Sequence, residues 1–186
     1  LEASVRRTLE RAIARNIPGL APLPQTESDL DVGPTPKEMV YSNETARLYH
    51  YLPTQDEIYR VPVLIVMSPV AKGYILDLAK GQSLIEYLVM QGHDVYMLEW
   101  AAPRRDQSHL SLDNYVNDLL GGCIEAVQRD SGETEVTLVG YCMGGMLSLM
   151  YTALNPTGAV RNLACFTTPV NGDGMELYKR WMTAKS

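Results

Sequence analysis

Histidine and cysteine are scarce in this chain, with three of each among 186 residues. Cys123, Cys142 and Cys165 are an odd number at spacings that fit no zinc or disulfide pattern, so a reduced, cytoplasmic setting is the better reading. No apolar run approaches the roughly 20 residues that span a bilayer, and no signal peptide is visible. Basic excess is missing too. With a formal net charge of −6, the chain offers no field to attract nucleic acid or an anionic membrane. Repeats and low-complexity tracts are also absent. What remains is 46% hydrophobic and 20% charged, an ordinary globular composition that argues against disorder. The length suits one domain with a real core. Because it starts at Leu1 without methionine and stops at Ser186 soon after a strand-like run, the chain reads as part of a longer protein.

Residues 1–15 read as an amphipathic helix, with Leu1, Val5, Leu9, Ala12 and Ile13 near one face. A proline-rich connector follows, so residues 1–36 form one region and 37–186 a second, catalytic-domain region. KEMVYSN and ARLYHYL read as two strands joined at Ser42-Asn43-Glu44. VPVLIVMS (61–68), DVYMLEW (94–100) and EVTLVGY (135–141) are apolar runs expected of buried strands, and VRNLACFTT (160–168) is a fourth. Between them lie helices around Ser83–Gln91, ending at Gly92, and after Ser111 as a cap. The second carries a core stripe of Leu112, Tyr115, Val116, Leu119, Leu120, Cys123, Ile124 and Val127. A third helix follows Cys142 and stops near Asn155-Pro156. This alternation predicts an α/β fold, a mostly parallel sheet with helices on both faces.

Gly140-Tyr141-Cys142-Met143-Gly144 is G-x-C-x-G between a buried strand and a helix, a nucleophile-elbow pattern with cysteine in the usual serine position. Such a turn is strained at its tip, and the residues two before and two after press on neighbouring backbone, so Gly140 and Gly144 are required and Gly145 extends the small surface. Cys142 would sit at a helix N-terminus, where a negative charge is favoured. The Met143 N–H would supply half an oxyanion hole, and the loop after the first buried strand, near Val70-Ala71, the other half. The alternative is a buried core cysteine, the reading given to Cys123 and Cys165. A thiol nucleophile also needs a base and an orienting carboxylate. His50, His93 and His109 all precede Cys142, the wrong order for this fold, and read as surface or satisfied side chains. Asp173 comes too soon after the fourth strand to be the acid, so these residues do not complete a triad.

Taken together, RVPVLIVMSPVAKGYILDL, SLIEYLVMQGHDVYMLEW, LSLDNYVNDLL, VTLVGYCMGG and VRNLACFTTPV resemble the polyhydroxyalkanoate (poly-3-hydroxybutyrate) synthases over residues 35–171, and the N-terminal region looks most like the types with a second subunit. The resemblance implies an α/β-hydrolase core, here stopping before the cap and C-terminal strands, that polymerises (R)-3-hydroxyacyl-CoA with release of coenzyme A. Cys142 corresponds to the family's nucleophile, carrying the growing polyester as a thioester, with the catalytic aspartate and histidine expected beyond residue 186. The resemblance further implies a cytoplasmic enzyme at polyester granules with a second synthase subunit. Coenzyme A thioester is the substrate, and no cofactor or metal is expected. The chain departs from the family pattern at Lys72-Gly73, where a bulkier residue or proline usually follows, and at Glu99 and Ala101, where aspartate and glycine are common. It departs again at Asn171–Met175, where an Asp-Phe pair is frequent.

Two other readings compete. A cysteine hydrolase of the dienelactone-hydrolase type shares the elbow but not GYILDL or SLDNYVNDLL. A non-catalytic relative could bind a partner or granule through Arg6, Arg7, Arg11 and Arg15, although such a stripe is more often a solvated face.

Overall fold

The computed structural model describes residues 32–171. The expected N-terminal helix, most of the connector and Asp173 lie outside the described residues. In chain order the elements are strands β1 (Lys37–Asn43), β2 (Ala46–Tyr51) and β3 (Val63–Val66), then the short β4 (Asp77–Ala79) and β5 (Gln82–Ser83). Helix α1 (Leu84–Met90), β6 (Val95–Trp100), α2 (Gly121–Ser131), β7 (Val136–Tyr141), α3 (Met143–Leu154) and β8 (Val160–Phe166) follow.

Six strands form one sheet in the order β1-β2-β6-β3-β7-β8. The hairpin β1–β2 adds antiparallel to β6, whereas β6, β3, β7 and β8 run parallel. The hairpin turns at Glu44-Thr45, later than the sequence suggested, because Asn43 still pairs with Ala46 and Glu44 takes the positive φ of 48°. The run β3 is buried at every residue, as a strand covered on both faces must be.

Side chains alternate across a strand, and this fixes which element covers which face. The Tyr96 hydroxyl donates to Asp130 of α2 at 2.8 Å. Its neighbour Met97 points the other way, toward Gly73, where an added Cβ would lie 2.6 Å from the Met97 sulfur. Helix α2 therefore covers one face and the segment from Gly73 the other. Helix α3 shares the face of α2, since a Cβ on Gly121 would meet Tyr151 at 3.4 Å. The expected helices on both faces are thus present. Helix α1 is started by Ser83, whose Oγ accepts from the Glu86 N–H at 2.9 Å. Ser83 also donates to the buried Asp77 at 2.6 Å, and Thr35 reaches the same carboxylate through its hydroxyl at 2.7 Å. That network ties the start of the described chain to the segment below α1.

Two further expectations need correction. Leu112, placed on a core stripe, is 58% exposed. After a first helical turn at 112–113 the helix continues as a π-helical segment, Asn114–Leu120, whose i→i+5 bonds widen the repeat on which the stripe was counted. Val116, Leu119, Leu120, Cys123, Ile124 and Val127 do stay buried. Strand β7 is also not buried on both sides. Val136, Leu138 and Gly140 face α2 and α3 and are buried, while Thr137, Val139 and Tyr141 are half-buried on the face that the 73–90 segment covers at β6.

Candidate active site at the β3–β7 crevice

The topology itself selects one place. Neighbouring strands β3 and β7 send their connections in opposite directions, β3 to β6 and β7 to β8. Ligand sites in such sheets form in the crevice beyond the carboxyl ends at this reversal. Two segments of interest emerge there: Ser68–Ala71 after β3 and the turn at Cys142 after β7.

Cys142 stands between β7 and α3 with φ 54° and ψ −121°, a conformation that costs a non-glycine residue about 1–3 kcal/mol. Its N–H donates to the Phe166 carbonyl at 2.9 Å, and its carbonyl accepts the Gly145 N–H at 3.0 Å, so both sides of the turn are held. The thiol is half-buried; Cys123 is buried as expected, whereas Cys165, read from the sequence as a core cysteine, is exposed, because β8 is the last strand of the described sheet and is covered over little of its length. The glycines are there for closeness. A Cβ on Gly140 would lie 2.7 Å from the Gly145 nitrogen, and one on Gly144 would lie 2.7 Å from the Met67 carbonyl oxygen. At Gly145 it would lie 2.9 Å from the Thr168 Cγ2. Three missing side chains thus let α3 rest directly on β3, β7 and the loop after β8. Met143, in the first turn of α3, has an N–H that no earlier helical carbonyl can satisfy.

The loop after β3 is a tight turn with Pro69 at its second position, which suits the fixed proline φ. The Ala71 N–H donates to the Ser68 carbonyl at 3.0 Å, and the Val70 N–H reaches the Ser68 hydroxyl at a long 3.4 Å. Of the two amides singled out in the sequence, Ala71's is therefore engaged in the turn and Val70's is held only loosely. Val70 itself is 81% exposed.

Two contributors escaped sequence reasoning, and a third, Glu99, was noted there without its partners. Trp100 is buried and donates its indole N–H to the Met67 carbonyl at 2.7 Å, just before the β3 loop. Thr168 covers Gly145, and its neighbour Thr167 has φ 49°, an outlier for a β-branched residue. Glu99 lies against Gly73 and pairs with Lys37 at 3.1 Å. The E-W pair at a strand end and the T-T pair after the fourth strand were visible, but nothing in their spacing specifies a partner.

The histidines lie where expected, away from Cys142 or in surface segments. His50 packs flat on Tyr96, with ring centroids 4.1 Å apart, and its nitrogens meet Asp94 at 2.7 Å and Asp130 at 3.2 Å. Asp94 precedes β6, so this cluster sits at the opposite end of the parallel strands from Cys142. His93 tilts against Tyr59, and the exposed His109 contacts the Asp106 carbonyl. Cys123 is fully buried, and burial pushes its thiol pKa up to about 12, as suits a core residue. An open groove of about 330 Å³ between Pro34, Pro36, Lys80, Glu86 and Met90 includes none of the elbow residues. Among the described residues no helix is long and apolar enough to cross a membrane.

Comparison with known proteins agrees with the fold. Residues 73–182 match the alpha/beta hydrolase fold family, and residues 13–88 match the N-terminus of poly-beta-hydroxybutyrate polymerase (PhaC). The poly(3-hydroxyalkanoate) polymerase subunit PhaC of Haloferax mediterranei is 41% identical over 158 residues, 84% of this chain and 32% of that protein. Its counterpart in Synechocystis sp. is 38% identical over 145 residues, 78% of this chain and 38% of that one. The chain spans about a third of the length of these curated relatives. Among solved structures, a sugar hydrolase from Lactococcus lactis superposes with a TM-score of 0.51 at 17% identity, covering 76% of this chain and 58% of that one. Epoxide hydrolase A from Mycobacterium thermoresistibile gives 0.50 at 17% identity, covering 70% and 38%. At that identity the superpositions speak for the fold alone. The chain belongs to the α/β-hydrolase fold family, and its close sequence kin within that family are poly(3-hydroxyalkanoate) polymerases.

Proposed function

We propose that this chain carries the nucleophile of a polyhydroxyalkanoate synthase, an acyltransferase that joins (R)-3-hydroxyacyl units from coenzyme A thioesters into polyester. The observation that carries the reading is Cys142 on a strained turn at the strand-order reversal, in a chain whose relatives are named polymerases. The Cys142 thiolate attacks the thioester carbonyl carbon, and the C–S bond to coenzyme A breaks as its thiolate leaves. One thioester replaces another, so the acyl group keeps its activation. The hydroxyl of a second acyl unit then attacks the bound carbonyl, forming an ester and freeing the Cys142 sulfur for the next round. A serine at 142 would hold the chain as an ordinary ester and lose that activation. The Met143 N–H and the Val70 N–H are the proposed donors to the tetrahedral oxyanion. Ala71, with its amide turned to Ser68, serves to shape the loop.

Deprotonation of Cys142 falls to a residue other than His50, His93 or His109, given the partners that those three hold. The synthase reading also carries the acyl-CoA substrate, a polyester or granule surface, a second subunit and a cytoplasmic place of work. A hydrolase of the dienelactone type is the weaker reading, because the relatives found over most of the chain are polymerases. The test is coenzyme A release from (R)-3-hydroxybutyryl-CoA by the full-length protein, with and without a co-encoded small subunit, with polymer recovered and weighed. Release accompanied by polymer is the expected result. Release without polymer would favour a hydrolase, and Cys142→Ala retaining release would remove the assigned nucleophile.

A further inference from the structure

The loop after β3 carries one of the proposed oxyanion donors; its turn is closed by the Ala71 N–H to Ser68 carbonyl bond, and side chains of β6 meet its two ends. Pro69 and Val70 are turn residues, and Val70 is 81% exposed. A further restraint comes from outside the loop. Glu99 and Trp100 are the last two residues of β6, so their side chains leave on opposite faces of the sheet. Trp100 reaches to the start of the loop. Its indole N–H donates to the Met67 carbonyl at 2.7 Å, while its ring packs on Tyr115 of the π-helical segment at 5.1 Å. Glu99 lies at the end of the loop. A Cβ on Gly73 would fall 2.7 Å from the Glu99 carboxyl carbon and 2.6 Å from the Met97 sulfur. That carboxylate is held by Lys37 at 3.1 Å, and the Lys37 ammonium in turn sits 4.5 Å over the Tyr49 ring.

We infer that Glu99 and Trp100 are positioning residues, a two-sided clamp that fixes the β3 loop at both ends and so sets the direction of its oxyanion-donating amide. The clamp also explains the glycine at 73: a side chain there would meet the Glu99 carboxylate and the Met97 sulfur. The Met67 carbonyl that Trp100 holds also lies against Gly144 of the elbow, whereas the Cys142 turn itself is held by its own bonds to Phe166 and Gly145. The catalytic part of this inference rests on the acyl-transfer reading; the anchoring part does not.

The test uses the full-length protein with Trp100→Phe, which keeps an aromatic ring and removes the donor, and separately Glu99→Ala. Amide hydrogen exchange over residues 67–76 should quicken by about tenfold or more in each variant, because a held turn becomes a locally opening one. Alkylation of Cys142 by iodoacetamide, which needs no oxyanion donor, should stay at the parent rate. In the coenzyme A release assay kcat should fall about 10- to 100-fold with KM little changed, as expected when a transition-state donor is misplaced. Glu99→Gln, which keeps the shape and a hydrogen bond to Lys37, should recover most of that loss. Unchanged exchange in both variants overturns the clamp whatever the activity does. Quickened exchange with unchanged kcat overturns the positioning role. A parent protein that releases no coenzyme A would instead refute the acyl-transfer reading, and exchange alone would then decide the anchoring.

Discussion

Replacing Gly144 with alanine sets two physical effects against each other, and the structure says which wins. Helix propensity alone favours the change, by about 1 kcal/mol, because alanine gives up less backbone freedom on entering a helix. Gly144 is in the first turn of α3 with no positive φ to lose, so nothing in the backbone conformation opposes it. The opposition is steric. The new methyl would lie 2.7 Å from both the Met67 carbonyl oxygen and the Val66 carbonyl carbon, where ordinary contact starts near 3.4 Å. These are main-chain atoms of a central strand, so α3 must back away. Overpacking typically costs about 1–3 kcal/mol, and contact with rigid backbone puts this case at the upper end, leaving a net loss of about 2 kcal/mol. For a chain of this length the melting temperature should fall by roughly 3–10 °C. Gly121→Ala is the internal control. Its methyl would find only the Tyr151 ring at 3.4 Å, so propensity prevails and stability should hold or rise by up to about 1 kcal/mol. Thermal unfolding of both variants followed by circular dichroism gives the comparison. A Gly144→Ala protein as stable as its parent would refute the packing account of the elbow glycines.

Two further outcomes follow from the charge and burial of single residues. Burial works against a charge on His50, but its hydrogen bond to Asp94 and the charges of Asp94, Asp130 and Glu38 outweigh it, so its pKa lies above the ordinary value. Charged His50 therefore stabilises the fold fully below about pH 6.5, the unfolded imidazole range, and the contribution is lost as pH rises through the raised folded value. Urea midpoints measured from pH 6 upward should fall with pH more steeply for the parent than for His50→Gln; equal slopes would show that His50 is not the group responsible. Among the three thiols, native alkylation should modify exposed Cys165 and half-buried Cys142, and spare Cys123 until denaturant is added. Rapid native labelling of Cys123 would contradict the core packing of α2.

Much of this fold is written locally. Buried parallel strands need unbroken apolar runs, and β3 and β6 have them; a nucleophile elbow needs small residues where backbone meets backbone, and G-x-C-x-G records that need directly. Where local pattern and structure part, tertiary context decides. Leu112 lost its place because a π-turn altered the repeat beneath it. Strand β7 reads as buried on both faces, yet its helix coverage differs from one face to the other. At the site, the glycines were legible because space forbids a side chain at each, and the cysteine because it stands at the tip of the turn that they frame. The clamp of Glu99 and Trp100 was not, since it depends on partners 26 and 33 residues away, Gly73 and Met67, brought together only when β3 and β6 pair. Nor could the sequence say that the Ala71 amide turns to Ser68, because Val70 and Ala71 are equally plausible donors until the turn is built.

The central claim is that Cys142 takes up the acyl group. It is tested most directly by mixing the full-length protein with (R)-3-hydroxybutyryl-CoA, quenching in acid within one turnover and mapping the acylated peptide by mass spectrometry. The account predicts a hydroxybutyryl thioester on the peptide containing Cys142, lost in Cys142→Ala together with coenzyme A release. An acyl group found on Cys165 or on a serine, or coenzyme A released at the parent rate by the alanine variant, would contradict it.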